Sequence, residues 1–122
     1  MPTVRYLVTD VEKSLQFYRD QLGFSVTQQW GPAFAMVEKN GLVLWLSGPE
    51  TSAAKPMPDG RRPEPGGWNR IVLEVHDLAA MVQRLKAAGV LFRNEIITGP
   101  GGSQILAEDG VGNVVELFEA RG

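Results

Sequence analysis

The chain has no cysteine and one histidine, His76. The first absence excludes a disulfide framework, a thiolate zinc site and a cysteine nucleophile together. The second leaves transition metals poorly served, because they favour imidazole and thiolate donors. A site of two histidines and a carboxylate cannot come from one copy of this chain. Charge of one sign is lacking too: 12 Lys and Arg stand against 14 Asp and Glu, a net charge of -2. The basic residues are scattered, so there is no electrostatic footprint for a nucleic acid partner. No apolar run approaches the ~20 residues that span a bilayer. The opening stretch, Met1 to Ser14, lacks the basic-then-apolar form of a signal peptide. These absences predict a cytoplasmic protein with neither a membrane nor a nucleic acid as partner.

What is present is ordinary for a globular domain. The 122 residues are 43% hydrophobic and 21% charged, enough for one domain to bury its own core. Thr3 to Val8 is rich in β-branched and aromatic residues and predicts a strand. Asp10 is a good N-cap, and Val11, Leu15, Tyr18 and Leu22 then recur at helical spacing up to Gly23. Phe24 to Trp30, Ala33 to Lys39 and Leu42 to Ser47 predict three more strands. Asn40-Gly41 between the last two is a type I′ hairpin signal. A Pro- and Gly-rich stretch, residues 48–67, has no apolar period and is expected to be a linker, either a lid or a disordered tether.

After it the order repeats. Asn69 to Val75 predicts a strand. Asp77 caps a helix with Leu78, Met81, Val82 and Leu85 on one face, which ends at Gly89. Glu95 to Gly99, Ser103 to Asp109 and Asn113 to Glu119 predict three strands separated by Gly-rich turns. Two copies of strand, helix and three strands thus flank one linker. Module 1 spans about 3–47, the linker 48–67 and module 2 about 68–119, within a single domain 1–122.

Particular residues carry a resemblance. YLVTDVEKSLQFYRDQLGF has a strand, an Asp cap, then a helix with Phe17-Tyr18 that ends in Leu22-Gly23-Phe24. EDGVGNVVELFE has an acidic turn, Gly-Asn, then a strand with a central Glu, although Gly110 stands where such turns usually carry proline. Together they resemble the vicinal-oxygen-chelate superfamily of glyoxalases, bleomycin-resistance proteins and extradiol dioxygenases. The resemblance runs from Thr3 to Glu119. It implies an α+β fold of two βαβββ modules whose sheets curve around a shared cup, with helices on the outer faces. It also implies a homodimer with a small-molecule ligand.

Strand side chains alternate between faces. Helix-facing parity goes to Val4, Tyr6 and Val8, to Leu42, Leu44 and Leu46, to Ile71, Leu73 and Val75, and to Val115 and Leu117. The opposite parity holds Thr3, Arg5, Trp45, Arg70, Glu74, Glu116 and Phe118. Phe34 and Trp68, with Trp30, stand on strands or at their ends. The expected ligand-binding set is Thr3, Arg5, Phe34, Trp45, Trp68, Arg70, Glu74, Glu116 and Phe118. The plainer alternative is that the charged members meet water and the aromatics serve core or dimer contacts.

Metal-dependent relatives take one ligand from each of four strands. The resemblance puts those positions at Thr3, Trp45, Arg70 and Glu116, where only Glu116 is a ligand type. Trp does not coordinate, and Arg stays cationic. No metal and no other cofactor is therefore expected. His76 has the parity of Arg70 but lies six residues on, roughly 20 Å along an extended strand. It is expected to sit beside the Asp77 cap. Gly101-Gly102-Ser103 lacks the helix and Lys of a phosphate cradle, and no serine has a catalytic partner. Glu108-Asp109 falls in a turn and is expected to be solvated.

Two functions follow. One is a small-molecule-binding protein without the usual metal, of sequestering or resistance type, in which Arg70 supplies the cation that pairs with Glu116 or with an anionic ligand. The other is an enzyme: a lyase like lactoylglutathione lyase, or an oxidoreductase like the extradiol dioxygenases. That enzyme would use atypical or inter-chain metal ligands, or Glu116 as base and Arg70 as electrophile.

Overall fold

The computed structural model describes residues 2–121. Its elements run in the expected order, and they build two four-stranded sheets. The first contains β1 (Thr3–Leu7), β2 (Ser25–Trp30), β3 (Phe34–Lys39) and β4 (Leu42–Ser47), in spatial order β1-β4-β3-β2. The second contains β5 (Ile71–Glu74), β6 (Ile97–Gly99), β7 (Gly102–Glu108) and β8 (Val114–Ala120), in order β5-β8-β7-β6. In each, the first strand runs parallel to the last and the other pairings are antiparallel. A parallel pair needs a crossover, and in each module a helix follows the first strand. This is the α+β, two-fold βαβββ arrangement.

Both helices start where a carboxylate satisfies an orphan amide. Asp10 accepts from Lys13 N at 3.0 Å, and Asp77 accepts from Ala80 N at 3.0 Å. The second helix, α2 (Leu78–Ala87), buries Leu78, Val82 and Leu85. The first departs from a plain helix. After α1 (Val11–Leu15) the backbone widens to a π-helix over Gln16–Gln21. Within it two consecutive rings, Phe17 and Tyr18, are both buried. They meet edge to face at 5.0 Å, and Tyr18 meets Phe24 edge to face at 5.8 Å. The spacing of Val11, Leu15, Tyr18 and Leu22 is that of an ordinary helix and does not announce the wider turns.

The chain divides into two compact units, residues 2–66 with 111–113, and residues 67–110 with 114–121. The core of the first holds Leu15, Tyr18, Val37, Leu44 and Leu46; that of the second holds Leu78, Leu85, Ile105, Val115 and Leu117. The Pro- and Gly-rich stretch belongs to the first unit as far as Gly66 and carries a short 3-10 turn, Ser52–Ala54. Its end is fastened by Asn113, whose Oδ1 accepts from Gly66 N at 3.1 Å and whose Nδ2 donates to Leu7 O at 2.7 Å. Among the described residues no helix is long and apolar enough to cross a membrane.

Candidate functional site

Each sheet has one face packed under its helix and one face turned away. In the first unit the residues whose parity is opposite to the core are Thr3, Arg5 and Leu7 on β1, Val43, Trp45 and Ser47 on β4, and Phe34 and Met36 on β3; of these Ser47 is fully buried. The register lines them up: Arg5 opposite Trp45 opposite Met36, and Leu7 opposite Ser47 opposite Phe34 opposite Trp30. Three rings follow one another across this face. Trp30 and Phe34 have centroids 5.5 Å apart, and Phe34 meets Trp45 edge to face at 6.0 Å. The Arg5 guanidinium lies 5.0 Å over the Trp45 ring, and its Nη1 donates to Ser47 Oγ at 3.1 Å. Arg5 is exposed, and these two contacts tether it beside the aromatic row. Trp30 remains 53% exposed, so the row is not a sealed core. Thr3, exposed, stands opposite Val43 at the end of the same face.

In the second unit Arg70 immediately precedes β5. Its Nε and Nη2 both donate to Glu116 Oε1, at 3.0 and 2.9 Å, while Nη1 donates to Trp68 O at 3.1 Å. The two side chains retain only 25% and 10% of their exposure. Glu116 stands opposite Val72 and Leu106, and Phe118, half-buried, stands opposite Glu74. Glu74 is exposed and, with His76 and Glu119, borders a cavity of about 330 Å³. His76 sits at the strand end, exposed, next to the Asp77 cap.

A second ion pair on the same face was not read from the sequence. Arg93 donates through Nε to Glu108 Oε1 and through Nη1 to Gly67 O at 2.8 Å, and its guanidinium lies 4.7 Å over the Trp68 ring. Trp68 is 67% exposed, so it is not core; Arg70 holds its carbonyl and Arg93 its ring. This corrects the expectation of a solvated Glu108-Asp109 turn. Glu108 ends β7 half-buried, and Asp109 is 3% exposed. Parity along β7 could have placed Glu108, since it shares a face with Leu106, which pairs with Glu116. Nothing local marks Arg93: it lies outside any periodic segment and is aligned by the isolated bridge from Phe92 to Ala107.

The residues at the four metal positions implied by the resemblance do not fit a divalent ion. The one carboxylate, Glu116, accepts twice from a permanently charged guanidinium, and Thr3 and Trp45 supply a neutral alcohol and an indole. Among the described residues no group of three or more His, Cys, Asp or Glu is placed to hold a metal.

Residues 1–117 match the profile of the Glyoxalase/Bleomycin resistance protein/Dioxygenase superfamily. No curated protein sequence matches the chain. Among solved structures, a superfamily member from Sphaerobacter thermophilus is similar at 30% identity and TM-score 0.74, covering 96% of this chain and 94% of that one. An antibiotic binding protein from Streptomyces sp. CB03234 is similar at 25% identity and TM-score 0.73, covering 98% of this chain and 93% of that one. A lactoylglutathione lyase from Agrobacterium tumefaciens shares the fold at 18% identity and TM-score 0.73, covering 98% and 92%.

Proposed function

The chain belongs to the glyoxalase/bleomycin resistance protein/dioxygenase superfamily, and from that membership we propose that it binds a small planar organic molecule, without a metal, as a sequestering or resistance-type protein. The observation that carries this reading is the aromatic row Trp30, Phe34 and Trp45, with the Arg5 guanidinium laid over Trp45. Rings of this kind accept a planar ligand by stacking, and a few placed polar groups fix its orientation. Arg5 favours a ligand with an anionic substituent. The Arg70–Glu116 pair supports the metal-free part, because a fixed cation already satisfies the only ligand-type side chain of the implied set. The antibiotic binding relative from Streptomyces lends the same direction. The reading includes a homodimer, supported by the apolar surface of the second unit, where Val72, Leu91 and Ile97 are each more than half exposed.

The test is a tryptophan-fluorescence titration with 2-naphthoate, and with the uncharged 2-naphthalenemethanol for comparison. Saturable quenching, stronger for the acid, is expected. Trp45→Ala should weaken it by about 1–2 kcal/mol, roughly 5- to 30-fold. Nickel, zinc or iron should leave the melting temperature in place. A metal-dependent rise in melting temperature, with turnover of a hemithioacetal or a catechol, would instead establish the enzyme reading.

A further inference from the structure

A second cavity, which none of the three rings lines, lies at the carboxyl ends of the parallel strands β1 and β4, within the first unit. Its volume is about 250 Å³, just below the ~300 Å³ at which drug-sized ligand pockets begin, so it suits a small metabolite. One side is formed by Leu7 and Ser47 from the strand ends, and the other by the Pro- and Gly-rich stretch, including Arg62 and Glu64. Open α/β sheets place ligands beyond the carboxyl ends of parallel strands, where the loops diverge, and a parallel pair creates the same opening here.

The wall is built, not incidental. Pro63 and Pro65 line it and fix their own backbone. Just beyond, Gly66 is tied to Asn113, and Asn113 to Leu7 of the opposite wall. Gly112 approaches Pro65 so closely that an added Cβ would stand 2.5 Å from its ring. The stretch that closes the cavity is therefore clamped to the strand end that forms its other side.

The charges are informative. Arg61 is engaged by Asp59, Nε to Oδ2 at 2.7 Å, and is not part of the lining. Its neighbour Arg62 does line the cavity, at its exposed edge, and makes no ion pair among the described residues; nor does Glu64, exposed beside it. A simple acid would meet Arg62 but be repelled by Glu64, and a simple amine the reverse. A molecule with both a carboxylate and an ammonium satisfies both, while Leu7, Pro63 and Pro65 offer an apolar surface to its body. We propose that this cavity is a binding site for a small apolar zwitterion of amino-acid type, with Arg62 on its carboxylate and Glu64 on its ammonium.

The experiment uses the full chain, labelled with ¹⁵N, titrated with L-leucine, with 4-methylpentanoate (no ammonium) and with 3-methylbutylamine (no carboxylate). L-leucine is expected to shift the amides of Thr9, Gly48 and Ala54 saturably, and the two single-charge analogues to bind at least about fivefold more weakly. Arg62→Gln and Glu64→Gln should each weaken L-leucine by a similar factor, about 1 kcal/mol, with the rest of the spectrum unchanged. Arg61→Gln should leave its binding as it was. No saturable shift at those amides, equal binding of either analogue, or binding indifferent to Arg62→Gln would overturn the proposal. Each outcome is independent of whether 2-naphthoate quenches tryptophan.

Discussion

Arg70 and Glu116 lie 46 positions apart in sequence, and their pairing decides what the helix-free face of the second sheet can do. A carboxylate with a tenth of its surface left and a guanidinium with a quarter satisfy one another. Removing one charge leaves the other partly desolvated. Glu116→Gln keeps the shape and an acceptor oxygen but discards the charge. It should lower stability by about 1–2 kcal/mol, seen as a lower urea midpoint at unchanged slope. An unshifted midpoint would mean that water already compensates the guanidinium. Residue parity was enough to expect both members on one face. It was not enough to find Arg93, because nothing in a non-periodic stretch says where a side chain points until Phe92 bridges to Ala107.

The elements were the most legible feature of the chain because their signals are local. Asp10 and Asp77 cap, Gly23 and Gly89 end helices with φ of 82° and 90°, and Asn40-Gly41 turns with φ of 50° and 86°. Each follows from the chemistry of a few neighbouring residues. Asp77→Ala should therefore cost about 1 kcal/mol, and Gly41→Ala, which forces a side chain into left-handed backbone, about 1–2 kcal/mol, both measured by chemical denaturation. The exception is the π-helix over Gln16–Gln21. Helical periodicity accounts for Leu15, Tyr18 and Leu22, but it carries no mark of the wider turns in which Phe17 and Tyr18 pack edge to face. Strand limits moved by one or two residues for the ordinary reason that pairing, not propensity, sets where a strand stops.

In the first unit as a whole, Asn113 does what no local signal announces. It is buried, and it joins the end of β1 to the end of the Pro- and Gly-rich stretch. Asn113→Ala removes an acceptor and a donor whose partners are partly buried, and should cost about 1–3 kcal/mol. Faster hydrogen exchange at the Gly66 amide would accompany it; unchanged exchange there would show that the clamp is not needed. The stretch expected to be either lid or tether groups with this unit and carries one short 3-10 turn, which composition alone did not indicate. From the amino acids alone came the order of elements, the two-fold repeat, the faces of the strands and the poverty of metal donors, because caps, turns and alternation act over a few residues. Folding had to bring Arg93 over Trp68 and onto Glu108, and Asn113 onto Leu7, because those pairings join segments that share no local signal.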